Sequence, residues 1–284
     1  MLNLIATSQG EYYTRMLALE SLGEIAVGNK RAIAALINFI ANSQNEIRNR
    51  MQAAESLGKI DPGNESAITA LINLIGRSEY EFIHSMAAES LREIAVGNET
   101  AIDALVNLIA TSEYEDTYWA AAESLGKIDP GNERAIEALV NLIVNSQDES
   151  TRRQAAASLG EIAVGNETAI NALVNLIANS QDESTRRQAA ESLGKIAVGK
   201  ETAINALVNL IANSQDESTR RQAAESLGKI AVGNETAINA LVNLIANSQD
   251  ESTRRQAAES LGKIAVGNET AINALVKLNR YLTA

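Results

Sequence analysis

The side chains best suited to catalysis are scarce in this chain of 284 residues, because it contains one histidine and no cysteine. A histidine works as a general base when a carboxylate orients it and a nucleophile or substrate pocket lies within reach. Glu81 lies three residues before His84, but a glutamate recurs at this position throughout the chain. One histidine and scattered carboxylates have no recognisable metal-ligand spacing, and a chain without cysteine has no thiolate ligands. We therefore predict no catalytic residue, no cofactor and no metal site.

A second group of side chains has the chemistry of a binding surface. Seven of the nine aromatic residues lie in three short segments, and methionines accompany them. Tyr, Trp and Met are favoured at interfaces because they give a large contact area at a low entropy cost. We take these residues as candidates for binding, together with Met51 at the equivalent place in repeat 2. The candidates are Tyr12, Tyr13, Met16, Met51, Tyr80, Phe82, His84, Met86, Tyr114, Tyr118 and Trp119.

A 34-residue repeat positions these residues. The sequence NETAINALVNLIANSQDESTRRQAAESLGKIAVG recurs almost unchanged, and its Ser-Leu-Gly glycines include Gly126, Gly160, Gly194, Gly228 and Gly262. A fixed period of this size is typical of solenoids, in which each repeat buries its apolar face only against its neighbours. We divide the single predicted solenoid, 1–284, into a partial repeat 1 (1–28), repeats 2 to 8 (29–63, 64–97, 98–131, 132–165, 166–199, 200–233 and 234–267) and a C-terminal capping helix (268–284).

Each repeat has the pattern of two helices and no strand. The first helix carries apolar residues at helical spacing, and a Gly-Asn pair such as Gly165-Asn166 precedes it. We expect the glycine to end one helix in a left-handed conformation and the asparagine to cap the next helix. A Ser-x-x-Glu motif such as Ser180 to Glu183 precedes the second helix and predicts a capping box. The fold class is therefore all-α.

The second helix carries a family resemblance. Residues 185–196, with the sequence TRRQAAESLGKI, resemble the VRxxAAxALGxIG helix of HEAT repeats, specifically of the phycobilisome-lyase-like subgroup. The chain is also similar to the 34-residue HEAT arrays of bacterial NACHT-type signalling proteins. The resemblance implies a right-handed α-solenoid of about eight repeats, with the second helices on its concave surface. It also implies a hydrogen-bond ladder between repeats made by the first arginine, Arg186, which His84 and Tyr118 replace in repeats 3 and 4.

Repeats 1 to 4 differ from repeats 5 to 8 along one stripe of the second helix. In repeat 6 this stripe contains residues 184, 187, 188, 191 and 195, which share a face by the i, i+3, i+4 rule, and it reads Ser, Arg, Gln, Glu and Lys. Repeats 1 to 4 place apolar residues there, including Tyr13, Phe82 and Trp119. We interpret the difference as a partner-binding surface on the concave face. Divergence and local repacking, after a recent duplication of repeats 5 to 8, remain the alternative explanation.

The charge distribution indicates what kind of partner would bind. Residues 1–131 contain 9 basic and 18 acidic residues, whereas the remainder contains 15 and 18. Two like-charge pairs that cost helix stability, Glu20–Glu24 and Glu89–Glu93, belong to the candidate surface. Acidic groups among aromatic rings suit a protein or a basic amphipathic peptide, and they do not suit the phosphates of a nucleic acid.

Three broader expectations complete the interpretation. No apolar run is long enough to cross a membrane, so we expect a cytoplasmic protein without membrane contact. We expect a non-enzymatic scaffold or sensor segment, part of a larger bacterial protein. The alternatives are a bilin lyase-like or phycobiliprotein-handling subunit, which the resemblance suggests, and an engineered or consensus-like scaffold, which the near-identity of repeats 5 to 8 suggests.

Overall fold

A computed structural model describes residues 12–42, 47–61, 63–77, 80–112 and 114–282. Within these residues it contains sixteen α-helices and no strand. The helices are α1 (Tyr12–Ile25), α2 (Lys30–Asn42), α3 (Ile47–Ile60), α4 (Glu65–Arg77), α5 (Glu81–Ile94), α6 (Glu99–Thr111), α7 (Glu115–Ile128), α8 (Glu133–Asn145), α9 (Glu149–Ile162), α10 (Glu167–Asn179), α11 (Glu183–Ile196), α12 (Glu201–Asn213), α13 (Glu217–Ile230), α14 (Glu235–Asn247), α15 (Glu251–Ile264) and α16 (Glu269–Leu282).

The helices follow the predicted repeat. Odd-numbered helices are the second helices of repeats 1 to 8, and even-numbered helices are the first helices, with α16 at the C-terminal end. Within residues 12–128, and again within residues 149–282, neighbouring helices pack in tandem, on their partner helix and on the equivalent helix of the next repeat. The predicted all-α solenoid of helix pairs is confirmed, while its right-handed twist and the repeat boundaries stay predictions.

The close contacts of the chain fall into two compact blocks. The N-terminal block contains residues 1–135, and the C-terminal block contains residues 136–284. Repeats 1 to 4 lie in the N-terminal block, and the chain crosses from one block to the other within α8. We describe each block by itself.

The core of each block is a thin apolar layer between helices. Within α11, the side chains of Ala189, Leu193 and Ile196 are buried, as the sequence pattern predicts. The first helix of the same repeat, α10, packs on α11 and buries its own Ile170 and Leu173. Small and branched aliphatic side chains suffice here because each helix covers only its neighbours.

The Gly-Asn junctions also form as predicted, and they connect successive repeats. Gly165 has a positive φ of 75°, which glycine adopts without strain. Its N–H donates to the carbonyl of Ile196 in the next repeat, at 2.8 Å. Asn166 Oδ1 accepts from the N–H of Ala169, at 3.0 Å, and so caps α10. One dipeptide therefore ends a helix, begins another and bonds to the following repeat.

The predicted Ser-x-x-Glu capping box is wrong. The N-cap of α11 is Asp182, whose carboxylate accepts from the N–H of Thr185 at 2.7 Å. Ser180 lies two residues earlier, at the end of α10, and its hydroxyl accepts from the N–H of Asp182 at 3.1 Å. The same hydroxyl donates to Glu149 of the preceding repeat. Ser180 still belongs to the end of α10, and Glu183 is the first residue of α11. The two therefore do not form a reciprocal cap, and Asp182 caps α11 instead.

The first arginine of the motif forms different bonds from those that the resemblance implies. Arg220 Nη1 lies 3.4 Å from the Ser214 carbonyl oxygen, and its guanidinium pairs with Glu217, so both partners lie in its own repeat. A link between repeats comes from Thr219, whose hydroxyl donates to the Glu183 carbonyl at 3.3 Å. The arginine therefore joins the two helices of one repeat, and the threonine joins neighbouring repeats.

The glycine of the Ser-Leu-Gly motif allows second helices to approach closely. A Cβ built on Gly194 would lie 2.7 Å from Ser226 Oγ and 3.1 Å from Ser226 Cα. Arg92 takes this position in α5, where it donates to Glu123 of α7 at 2.9 Å. The amide of Gly97 lies 3.2 Å from its acceptor at this junction, against 2.6–2.9 Å at the other described junctions. The α5–α7 junction is therefore slightly wider.

Candidate partner-binding surface

The structure exposes the aromatic side chains that the sequence comparison selects. Tyr13 on α1, Phe82 on α5 and Trp119 on α7 are 73%, 43% and 38% exposed. Tyr80 and Tyr114 are also exposed. We call these five residues, which all lie in the N-terminal block, the aromatic face.

The other predicted site residues fall into two groups. The side chains of Met16, His84 and Met86 are half-buried. Tyr12 begins α1, Met51 lies in α3 and Tyr118 lies in α7, but these three side chains are outside the described part of the structure. Their contribution to the surface stays a prediction.

Tyr80 and Tyr114 occupy the N-cap positions of α5 and α7. Neither side chain makes a capping hydrogen bond. In the C-terminal block the same position is an aspartate, such as Asp182, that caps its helix. Sequence reasoning missed this replacement because it assigned the cap to the serine. The Asp-x-x-Thr spacing in repeats 5 to 8 was the sequence signal that could have identified the aspartate as the N-cap.

A charged ladder occupies the equivalent place in the C-terminal block. Arg153 Nη2 donates to Ser150 Oγ, at 2.9 Å, on its own helix α9. The N–H of Thr185 holds the pKa of Asp182 below its ordinary value, and the charges of Arg153 and Arg187 lower it further. The charge of each arginine of this type therefore helps to lower the pKa of the capping aspartate in the next repeat.

All four repeats of the N-terminal block lack this arginine, and two of the following repeats also lack the acidic residue. Met16 and Trp119 replace the arginine where Glu46 and Asp148 keep the acid. Between repeats 2 and 3 the equivalent residues are Met51 and Tyr80, and between repeats 3 and 4 they are Ser85 and Tyr114. At the two junctions with Tyr80 and Tyr114, the replacements remove both charges of the pair.

The acidic pair on α1 is partly neutralised by the next repeat. Glu20 and Glu24 are exposed. A hydrogen bond to Glu55 is the main cause of the raised pKa of Lys59, and the charges of Glu20 and Glu24 raise it further. The like-charge cost that the sequence predicts is thus offset by a lysine on α3. A comparable bond joins repeats in the C-terminal block, where Lys195 donates to Glu161 at 2.8 Å.

The acidic pair on α5 has a different environment. Glu93 accepts from Arg92 at 3.1 Å, so part of its charge is neutralised within its own helix. Arg92 also bonds to Glu123 of α7. Glu89 is exposed one helical turn before Glu93. Glu89 is therefore the member of the pair that is better placed to attract a cation from outside.

Three further features of the described residues concern metal ligands, helix length and grooves. These residues contain no group of three or more His, Cys, Asp and Glu side chains that could hold a metal ion. None of their helices combines the length and apolar character that crossing a bilayer requires. Two grooves of about 420 and 720 Å³ lie between neighbouring first helices of the C-terminal block, and both are lined by equivalent residues, such as Arg220 and Arg186. Their repetition follows from the repeat itself.

Comparison with known proteins decides the family. The HEAT-repeat family model matches residues 2–92, 85–160, 136–228 and 204–280, which together cover almost the whole chain. The chain belongs to the HEAT-repeat family. This HEAT-repeat protein is similar in fold to the Escherichia coli protein YibA, whose X-ray structure was a structural genomics target. The similarity covers 92% of this chain and 90% of that chain, with a TM-score of 0.61 and 17% identity.

The same comparisons limit what the fold implies about function. At this identity the likeness to YibA concerns the fold alone. The 130 chains of known structure that match show how widely the fold is shared, so it does not identify a partner. No curated protein sequence matches this HEAT-repeat protein significantly. The function must therefore be inferred from the surface.

Proposed function

We propose that this HEAT-repeat protein is a non-enzymatic binding scaffold, and that its aromatic face binds a basic amphipathic peptide or protein segment. The observation that carries the proposal is the exposure of Tyr13, Phe82 and Trp119 on second helices. Sister repeats place Ser, Arg and similar polar residues at the same positions. Large exposed apolar groups on a face that is otherwise polar are typical of interaction sites.

The replacement of the same arginine in all four repeats of the N-terminal block favours a selected surface over random divergence. Loss of an arginine and loss of its aspartate partner are two separate changes, and they occur together at two neighbouring junctions. Both junctions gain a tyrosine in place of the aspartate, Tyr80 and Tyr114. The new side chains supply the contact area and the hydroxyl group that interfaces use.

The charge of the same region favours a basic partner. The first 131 residues carry twice as many acidic as basic residues. Aromatic rings attract cations through their faces, and nearby carboxylates add a long-range attraction. A nucleic acid would instead require a basic surface to neutralise its phosphates. The cytoplasmic location and the membership of a larger bacterial protein stay expectations from the sequence.

A peptide titration tests the proposal. The probe is a fluorescein-labelled peptide of leucine and lysine in the amphipathic helical pattern, and its control has glutamate in place of lysine. We expect saturable binding of the lysine peptide, followed by fluorescence anisotropy, and no binding of the glutamate peptide. Binding of both peptides, or of neither, would show that the face does not recognise basic amphipathic segments.

The sister repeats provide the matched variants. Phe82→Ser with Trp119→Arg installs the residues that repeats 5 to 8 carry at these positions. Truncation of an aromatic hot-spot residue costs about 2 kcal/mol or more of binding free energy, so if one of the two is such an anchor the affinity should fall at least ~30-fold. Val198→Ser removes an exposed apolar side chain from the C-terminal block and should leave affinity unchanged. If the wild type, the double variant and Val198→Ser all bind the peptide with equal affinity, the binding site lies elsewhere.

A further inference from the structure

Successive second helices meet through one small set of residues. Between α11 and α13, Gly194 faces Ser226, since a Cβ built on the glycine would lie 2.7 Å from Ser226 Oγ. The loop after α11 contributes the N–H of Gly199, which donates to the Ile230 carbonyl of α13 at 2.9 Å. Ser226 and Ile230 are buried. This junction therefore has two complementary halves, a pair of glycines on one repeat and a serine and an isoleucine on the next.

The last helices of the C-terminal block present the glycine half of this junction unused. Nothing lies within 4 Å of a Cβ built on Gly262, and no backbone carbonyl of the described residues accepts from the N–H of Gly267. On α16, Ile272 and Val276 are exposed. The equivalent of Ile272 in α12 is Ile204, which is buried, and α12 packs on α13, the second helix of its own repeat. We call Gly262, Gly267, Ile272 and Val276 the C-terminal face.

The first helix of the N-terminal block presents the other half. On α1, Ala18, Ser21 and Ile25 lie on one stripe, at positions i, i+3 and i+7. Ala18 and Ser21 are half-buried, whereas their equivalents in α13 are buried. Ile25 is 70% exposed, while its equivalent Ile230 is only 2% exposed. We call Ala18, Ser21 and Ile25 the N-terminal face.

We propose that the C-terminal face binds the N-terminal face of a second copy, so that the chain assembles end to end. In this arrangement Ser21 of the second copy lies against Gly262, and the carbonyl of Ile25 accepts from the N–H of Gly267. Helix α1 of the second copy lies beside α16 as the second helix of its repeat and covers Ile272. The contact repeats a junction that the chain already builds between its own repeats, so it needs no new kind of packing. It does not depend on the aromatic face.

The charges at the two faces are also complementary. Within the C-terminal block, Lys195 on α11 donates to Glu161 on α9 at 2.8 Å. At the proposed contact these two positions are Glu24 on α1 and Lys263 on α15, so the pair recurs with its charges exchanged. Both side chains are exposed. An exposed ion pair adds little affinity, so this one serves mainly to fix the orientation of the two copies.

The repeat pattern also sets the strength of the association. Residues 1–8 have the same repeat positions as residues 275–282. In the assembly, α16 therefore takes the place beside α1 that the pattern assigns to residues 1–8 of the second copy. Because the two segments compete for one place, we expect a reversible association that depends on protein concentration.

The mass of the protein in solution tests the proposal. Sedimentation velocity of the whole chain, from about 1 µM to about 1 mM, covers the range in which weak interfaces dissociate. We expect the average mass to rise with concentration, because a contact between two different faces can be repeated along a ring or an open chain. A mass that stays that of the monomer throughout this range would overturn the proposal.

Ile25→Glu and Val27→Glu are matched variants. Both side chains are 70% exposed, so neither change should disturb the single chain. Val232, the equivalent of Val27, stays 75% exposed at an internal junction, whereas the equivalent of Ile25 is buried. Ile25→Glu should therefore raise the concentration of half-association at least ~10-fold, since it buries a charge, and Val27→Glu should leave it unchanged. An equal effect of both changes would contradict the proposed contact.

Mixing two blocked proteins shows whether the two faces bind each other. Ile25→Glu blocks the N-terminal face, and Ile272→Glu blocks the C-terminal face. Each variant alone should stay monomeric. An equimolar mixture should form a dimer and no larger species, because one intact face of each kind remains. A mixture that stays monomeric, although the wild type associates, would overturn end-to-end assembly.

A second variant covers the case in which Ile272→Glu does not fold, as circular dichroism would show. Gly262→Leu then replaces it, since the space around Gly262 is open in the single chain but is filled by Ser21 in the assembly. We expect the same dimer from its mixture with Ile25→Glu. Self-association of Gly262→Leu as strong as that of the wild type would overturn the proposed contact.

Discussion

Replacing Gly194 by alanine should destabilise the protein, although alanine is the better helix former. The added Cβ would lie 2.7 Å from Ser226 Oγ, 2.9 Å from its Cβ and 3.1 Å from its Cα. Rotation of the serine side chain moves only the oxygen, so α11 and α13 must separate by a few tenths of an ångström. Overpacking of this kind costs about 1–3 kcal/mol, whereas the gain in helix propensity is about 0.5–1 kcal/mol.

Gly262 provides a matched control in α15. It lies in the same Ser-Leu-Gly motif, but nothing lies within 4 Å of a Cβ built there. Gly262→Ala should therefore show only the propensity gain and stabilise the protein by about 0.5–1 kcal/mol. The two alanine variants should thus shift stability in opposite directions.

Urea unfolding followed by circular dichroism measures the difference. We expect the midpoint of Gly194→Ala to fall below that of the wild type and the midpoint of Gly262→Ala to rise above it. Ser226→Gly should partly restore Gly194→Ala, because it removes the two closest atoms. If Gly194→Ala is as stable as Gly262→Ala, the close approach of second helices does not require glycine, and the reasoning fails.

Three other predictions concern the helix caps and the charges between repeats. The bond from Thr219 lowers the pKa of Asp216, so this cap stabilises the fold above the unfolded pKa of about 3.9, and the stabilisation is lost as pH falls through the lower folded value. Asp216→Ala should therefore lower the free energy of unfolding by about 1 kcal/mol at pH 7 and by much less at pH 2. An equal loss of stability in urea unfolding at both pH values would contradict this. Tyr80→Asp supplies a side-chain cap and should raise the free energy of unfolding by about 1 kcal/mol, seen as a higher urea midpoint; no gain would show that a side-chain cap does not stabilise α5. Lys59→Gln should destabilise the N-terminal block more in low salt than in 1 M salt, and a salt-independent effect would exclude its coupling to the acidic pair on α1.

Much of the fold can be predicted from the sequence because the same pattern of apolar, glycine and capping residues recurs in every repeat. The apolar spacing of α12 and the Gly-Asn junction at Gly165 each predict a local structure that the protein adopts. The capping box was wrong because Ser180 and Asp182 are both good N-cap residues, and the pattern alone does not say where α10 ends. At the end of α10, Ser180 also contacts the preceding repeat, where its hydroxyl donates to Glu149, 31 residues earlier.

The candidate surface was predictable only in part. Comparing copies was enough to select Phe82 and Trp119, since their sister residues are polar. It did not reveal that Lys59 offsets the acidic pair on α1, or that Arg92 joins α5 to α7. These contacts join different repeats, and their partners differ from copy to copy, so no repeating pattern marks them.

The central claim is that the aromatic face binds a basic amphipathic segment, and Trp119 reports on it directly. It is the only tryptophan in the chain, and it is 38% exposed. Its emission is measured while the unlabelled leucine–lysine peptide, or its glutamate control, is added. We predict a saturable shift to shorter wavelength with the lysine peptide alone, because binding removes water from the indole. An unchanged spectrum, or an equal shift with the glutamate peptide, would contradict the claim.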